Sequence, residues 1–265
     1  MDVASKVLVE HTIKVFLILG ISFLLGIRVF TSFPIEQEQF TPANTYSLIA
    51  AFLIGSVAVY VFLNVLKLPI IMKLIELLSL LLMSFITFYF LLFNTTTAIL
   101  LSIALTLLRV IARERVTELT AFTIAVGGSL FIGTSFSFYT LAFFSLVLIA
   151  YDFISVFITK HMVAMAEEVE KTNLAMTITT VKGARAKKGK FAGLMMGLGD
   201  IILPSALTIS AYALAPNLAY TLLATSIVGY FLMLLWLFRI RKPIPALLPM
   251  LIPQLIVSLA YFLLF

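Results

Sequence analysis

Residues 119–159 read LTAFTIAVGGSLFIGTSFSFYTLAFFSLVLIAYDFISVFIT, an apolar run whose only charged residue is Asp152. Wound as one helix, the run would be about 60 Å long, twice the ~30 Å hydrocarbon core of a bilayer. It must fold back, and the small and polar residues Gly133, Thr134, Ser135 and Ser137 mark the turn. This hairpin decides on which side everything after it lies. The next segment, 160–190, carries Lys160, Lys171, Lys182, Arg185, Lys187, Lys188 and Lys190. Basic residues collect in cytoplasmic loops, and only a turn near residue 135 puts these on the side of the other basic loops.

Working outward, apolar runs between charged or turn-rich breaks predict helices at about 12–31, 45–66, 70–93, 96–112, 119–136, 139–159, 191–212, 217–238 and 244–265. The break between the seventh and eighth is Pro216-Asn217. With the N-terminus placed in the cytoplasm, every lysine and arginine except Arg28 falls on the cytoplasmic side, and Arg28 shares its loop with Glu36 and Glu38. The expectation is an all-α polytopic membrane protein of nine transmembrane helices, N-terminus cytoplasmic and C-terminus outside. It divides into a six-helix half at 1–159, a cytoplasmic loop at 160–190 and a three-helix half at 191–265. The first run is read as an uncleaved helix, because Lys14 and Arg28 flank it and no small-x-small cleavage site follows.

Composition agrees. Hydrophobic residues make up 62% of the 265 positions, against about 45–50% in soluble domains. Charged residues are 11%, mean hydropathy is +1.17, and Phe alone occupies 24 positions. So much apolar surface needs lipid around it, which excludes a large soluble catalytic domain. The net charge of +6 belongs to cytoplasmic loops rather than to a nucleic-acid surface. The absence of Cys removes disulfides and cysteine nucleophiles. With only His11 and His161 and no HExxH, an intramembrane zinc protease is excluded as well. A multi-pass integral membrane protein follows, in the cell membrane if the source is prokaryotic.

Within the 160–190 loop, Glu167, Glu168 and Glu170 among Ala and Met can extend the preceding helix. Ala175–Val181 alternates β-branched residues and predicts a short strand, and Gly183–Lys190 is a basic run on the membrane surface.

Ionisable groups at membrane depth are expensive, so each needs an account. Glu76 lies one turn from Lys73 and is expected to pair with it or snorkel. Asn64 and Gln254 are expected to be interhelical hydrogen-bond glue. Asp152 precedes Lys160 by eight residues and Asp200 follows Lys190 by ten, which on continuous helices places both about 12–15 Å below the loop. Consecutive antiparallel helices would bring the two carboxyls to one layer. Two facing carboxylates in low dielectric cannot both ionise and share one proton, so one can act as a base on water while the other polarises a carbonyl. A second use of the same pair is a proton or cation relay in a transporter or channel.

The surroundings favour the hydrolytic use. Gly193, Gly197 and Gly199 precede Asp200 and permit close backbone approach. Pro204 should free the Asp200 carbonyl and kink its helix. Pro245, Pro249 and Pro253 recur every four residues in the last helix, freeing carbonyls that must meet water or another backbone.

Tyr151-Asp152, Gly197-Leu198-Gly199-Asp200 and Pro245-Ala246-Leu247 resemble the YD, GxGD and PAL motifs of presenilin and signal peptide peptidase, the intramembrane aspartyl proteases. The resemblance spans residues 1–265 at the level of topology, and the brevity of the chain is similar to an archaeal or otherwise minimal homologue. It implies that Asp152 and Asp200 are catalytic. It also implies that Tyr151, Gly197, Leu198 and Gly199 shape the site and that Pro245, Ala246 and Leu247 hold substrate beside it. The charge bias matches presenilin orientation, whereas Ile201 and Pro204 after the GxGD motif are similar to signal peptide peptidases. The resemblance implies transmembrane protein substrates within the lipid bilayer, allows a homo-oligomer, and calls for no metal or organic cofactor. The substrate must unwind locally, and the strand near Thr177 could pair with it by β-augmentation.

Overall fold

The computed structural model describes residues 3–33, 37, 41–62, 69–159, 174–175, 177–180, 194–240 and 244–264. Asn64, Glu36, Glu38, the 160–173 extension with its three glutamates and the basic run at 183–190 lie outside the described residues. Nine α-helices occur among the described residues: α1 (Val3–Ser32), α2 (Pro42–Tyr60), α3 (Pro69–Leu92), α4 (Thr95–Ala112), α5 (Thr117–Ser135), α6 (Phe138–Phe153), α7 (Gly199–Leu214), α8 (Pro216–Ile240) and α9 (Leu247–Leu264). A 3₁₀ turn joins α4 to α5, and a π-helical turn, Ile154–Ile158, prolongs α6. Eight of these helices are long and apolar enough to cross a membrane. The exception is α7, whose 16 residues reach about 24 Å.

The hairpin expected near residue 135 is present. α5 ends at Ser135, Phe136 is extended, and Ser137 caps α6 by accepting the Thr140 N–H. Gly133, expected in the turn, instead lies inside α5, where a Cβ would come 2.8 Å from the Ala206 carbonyl oxygen of α7. Gly127 does the same for α3, since a Cβ there would fall on the Met83 carbonyl. Small residues on two faces thus let α5 sit between α3 and α7 at backbone contact, the way membrane helices associate when lipid supplies no hydrophobic drive. Around this centre, α1 covers α5 and α7, α4 packs on α3, α8 and α9 form a hairpin, and α6 joins α7 to α9. α2 stands outermost, against α6.

The seventh helix differs from expectation. Leu194–Gly197 forms a strand, β2, antiparallel to β1 (Thr177–Thr180), with Thr177 opposite Gly197 and Ile178 opposite Met196. The strand expected within 175–181 is therefore present, but its partner was read as the start of a helix from 191, and the all-α class acquires a small sheet. Gly197 and Gly199 are poor helix formers, and pairing with the β-branched Thr177–Thr180 satisfies the backbone groups that a helix would otherwise satisfy internally. Asp200 consequently sits in the first turn of α7, not several turns inside a continuous helix, and the depth argument for it does not apply.

Two further expectations are corrected. Glu76 is buried at 1% exposure and pairs with Arg109 at 2.7 Å, whereas Lys73 is exposed. In the last helix Pro245 precedes α9, Pro249 lies in its first turn, and Pro253 is the proline in its interior. The carbonyl that Pro253 leaves without an intrahelical donor is that of Pro249, and it packs on Gly229 of α8, where a Cβ would lie 2.5 Å away. It meets the backbone of a neighbouring helix, one of the two outcomes expected of a freed carbonyl.

Candidate active site

Asp152 is in the last turn of α6, 2% exposed, and its carbonyl accepts the Ser155 hydroxyl at 3.0 Å where the helix widens into the π turn. Its Oδ2 accepts the backbone N–H of Leu247 at 3.1 Å. Leu247 is the first residue of α9, so this N–H is one of the helix-start donors that lack an intrahelical partner. The carboxyl thereby caps α9 and ties the chain around Pro245-Ala246-Leu247 to α6. Pro245 and Leu247 are buried and Ala246 is half-buried.

Asp200 is half-buried at the start of α7, where the helix dipole favours negative charge. Its carboxyl lies against Gly197, on the strand that leads into the helix. A Cβ on Gly197 would come 3.1 Å from Asp200 Oδ2, so the glycine leaves the space the carboxyl uses. Leu198 is buried in the main core cluster, and its carbonyl accepts the N–H groups of Ile201 and Ile202 at 3.1 and 2.9 Å, which starts α7. Gly199 is exposed, with nothing within 4 Å of a Cβ built on it; no packing in the described structure demands glycine there.

Tyr151 takes a different direction. Its hydroxyl hydrogen-bonds Ser56 of α2 and its ring meets Phe52 edge-on at 5.2 Å, so it fastens the outermost helix to α6. Gln254 behaves as expected of interhelical glue: its Nε2 lies 3.0 Å from Thr208 Oγ1 on α7 and 2.6 Å from Ser226 Oγ on α8. Pro204 is inside α7, and its carbonyl also faces Gln254 Nε2, at 3.2 Å. Among the described residues, no group of three or more His, Asp or Glu side chains is arranged to hold a metal.

The stretch around Leu247 thus meets Asp152, and the helix that Asp200 begins packs on the helix that carries Asp152. A family profile described as signal-peptide peptidase, presenilin aspartyl protease matches residues 12–263. The chain belongs to this family. As a presenilin and signal-peptide peptidase family member it is an aspartic endopeptidase and a multi-pass integral membrane protein, acting on transmembrane proteins in the bilayer. The fold agrees. It is similar to a solved structure of a presenilin family intramembrane aspartate protease in the P2 space group, with a TM-score of 0.67 at 20% identity over 97% of both chains. A second, of a presenilin family intramembrane aspartate protease in the C222 space group, gives 0.63 at 19% identity over 96% of both chains. No curated protein matches the chain.

Two features of this family member's site escaped the sequence. The Leu247 N–H is a main-chain donor, invisible to side-chain reading, although a Pro shortly before a helix start signals free N–H groups nearby. The Glu76–Arg109 pair joins positions 33 residues apart, beyond any local spacing rule.

Proposed function

We propose that Asp152 and Asp200 are the catalytic pair of this protease. One carboxylate takes a proton from water as its oxygen attacks the scissile carbonyl carbon, and the other, protonated, donates to the carbonyl oxygen. The tetrahedral diol then collapses, the C–N bond breaks, and the amide nitrogen leaves with a proton from the pair. The observation that carries this reading is the Leu247 N–H on Asp152 together with Gly197 against Asp200, on two helices that pack on each other. In it the Leu247 N–H holds Asp152 in orientation, and Gly197 leaves room for Asp200.

In the same reading all nine helices cross the membrane, with the N-terminus cytoplasmic and the C-terminus outside. The short α7 completes its crossing together with the sheet that precedes it. An unwound substrate segment adds to an edge of the β1–β2 pair as a further strand.

The decisive experiment incubates the purified protein with a membrane-spanning substrate and compares wild type with Asp152→Ala and Asp200→Ala. Either substitution should abolish cleavage, and an aspartic-protease transition-state mimic should block the wild type. Ion flux dependent on the pair without cleavage would favour transport instead. β-Augmentation is tested by single Pro substitutions along 177–180. Successive N–H groups of a strand point alternately to the partner and outward. Loss of cleavage at outward positions with an intact fold supports the docking role, and full activity at those positions refutes it.

A further inference from the structure

Arg109 Nη2 and Nε lie 2.7 and 2.8 Å from Glu76 Oε1, and Nη1 donates to Thr117 Oγ1 at 2.7 Å. Arg109 is 5% exposed and Glu76 1%. A fully buried ion pair adds little net stability, because desolvation offsets the attraction, and well-packed apolar replacements are often neutral or better. The best-attested use of such a pair is to set register. What this pair holds is the chain entering the sheet: the Ala175 N–H donates to Glu76 Oε1 at 3.0 Å. Leu174, next to it, is buried against Met72, one helical turn before Glu76 on the same face of α3, with Val59 and Phe62 packed around them.

Two residues further on, Thr177 stands opposite Gly197. Gly197 is the residue whose missing side chain leaves room for the Asp200 carboxyl, since a Cβ there would stand 3.1 Å from Oδ2. A strand has a side-chain period of two, so a slip of one residue would invert β1 and change what opposes Gly197.

We propose that the buried Glu76–Arg109 pair is a positioning element for Asp200: by holding the Ala175 N–H it sets the β1–β2 register, and with it the backbone on which the Asp200 carboxyl rests. The proposal depends on the catalytic reading of Asp200 given above. Glu76 acts through β1 and Gly197, not on the reacting atoms.

The test compares wild type, Glu76→Gln with Arg109→Met, and Glu76→Met with Arg109→Met. The first double variant removes both charges but keeps an acceptor for the Ala175 N–H; the second removes the acceptor at similar volume. Neither leaves a charge buried alone, so the Gln/Met variant should melt near wild type, and the Met/Met variant, which leaves the buried Ala175 N–H unpaired, should fold but melt lower. The Gln/Met variant should keep kcat, while the Met/Met variant loses about 10- to 100-fold in kcat with KM nearly constant, the signature of a misplaced catalytic group. The chain has no Cys, so register is read directly by cross-linking Ile178→Cys to Met196→Cys, which oppose each other across the sheet. That cross-link should form in wild type and in the Gln/Met background and fall in the Met/Met background.

Wild-type kcat or an undiminished cross-link in the folded Met/Met variant overturns the proposal, as does equal loss in both double variants. If the Met/Met protein fails to fold, Ala175→Pro removes the same hydrogen bond with the ion pair intact and takes its place, with the same two readouts. If wild type cleaves nothing, or Asp152→Ala still cleaves, the protease reading falls; the cross-link needs no activity and still decides the register.

Discussion

The hydrogen bond from the Leu247 N–H to Asp152 can be removed without touching either carboxyl. Leu247 is the first residue of α9, the helical position that Pro occupies most readily, because its N–H has no intrahelical role there and its fixed φ suits the helix. Leu247→Pro therefore deletes the donor that stands 3.1 Å from Asp152 Oδ2 while leaving α9 in place. It also deletes a buried leucine side chain from the cluster shared with Phe144 and Leu148 of α6, a loss worth about 2–5 kcal/mol in stability. Leu247→Ala is the matched control, since it loses the same side chain and keeps the N–H.

The difference between the two variants isolates the hydrogen bond. A bond to a charged group is worth about 1.5–3 kcal/mol net, and each ~1.4 kcal/mol is tenfold in rate. Leu247→Pro should then cleave a membrane-spanning substrate about 10- to 150-fold more slowly in kcat than Leu247→Ala, while the two melt within a few degrees of each other. Steady-state cleavage in detergent and thermal unfolding of the same preparations measure both quantities. Equal kcat in the two variants would refute the claim that this N–H serves Asp152 in the reaction.

Gly197→Ala should fold yet lose most activity, because its Cβ would stand 3.1 Å from Asp200 Oδ2, whereas Gly199→Ala should melt no lower than wild type, having nothing within 4 Å. A melting comparison alongside the cleavage rates separates the two glycines. Gly229→Ala puts a Cβ 2.5 Å from the Pro249 carbonyl and should lower stability by about 1–3 kcal/mol through forced separation of α8 and α9; an unchanged melting temperature would show that the helices part freely. The cleavage rate should be bell-shaped in pH, since acid leaves the carboxyl pair without a base and alkali leaves it without a proton donor, and a flat profile would count against a shared proton.

Much of the helical layout was legible because lipid-facing helices are long apolar runs and their ends carry charges or turn residues. That the run folds back followed from helix length against bilayer thickness, and the small and polar residues and the charge bias placed the turn near residue 135. The start of α7 was not legible: Leu194–Gly197 is apolar with glycines, and hydropathy does not separate a short buried strand from a helix end. Its pairing with Thr177–Thr180 is set by contacts across the intervening loop. The partner of Glu76 was misjudged for the same reason, since spacing exposes Lys73 and conceals Arg109 on another helix. Of the motif residues, Asp152 meets Leu247 and Asp200 meets Gly197, while Tyr151 serves α2. Side-chain identity pointed to the neighbourhood, and the direction each group faces came from the packing.

Gln254 reaches α7 through Pro204 and Thr208 and α8 through Leu222 and Ser226, from its own place on α9. Mechanically this makes the last three helices one stiff block, which carries Asp200 at one corner and the Leu247 N–H at another. Asp152 belongs to the neighbouring block, on α6. Strain on α8 or α9 is then passed both to Asp152, through the Leu247 N–H, and to α7, which α5 braces at backbone contact through Gly133.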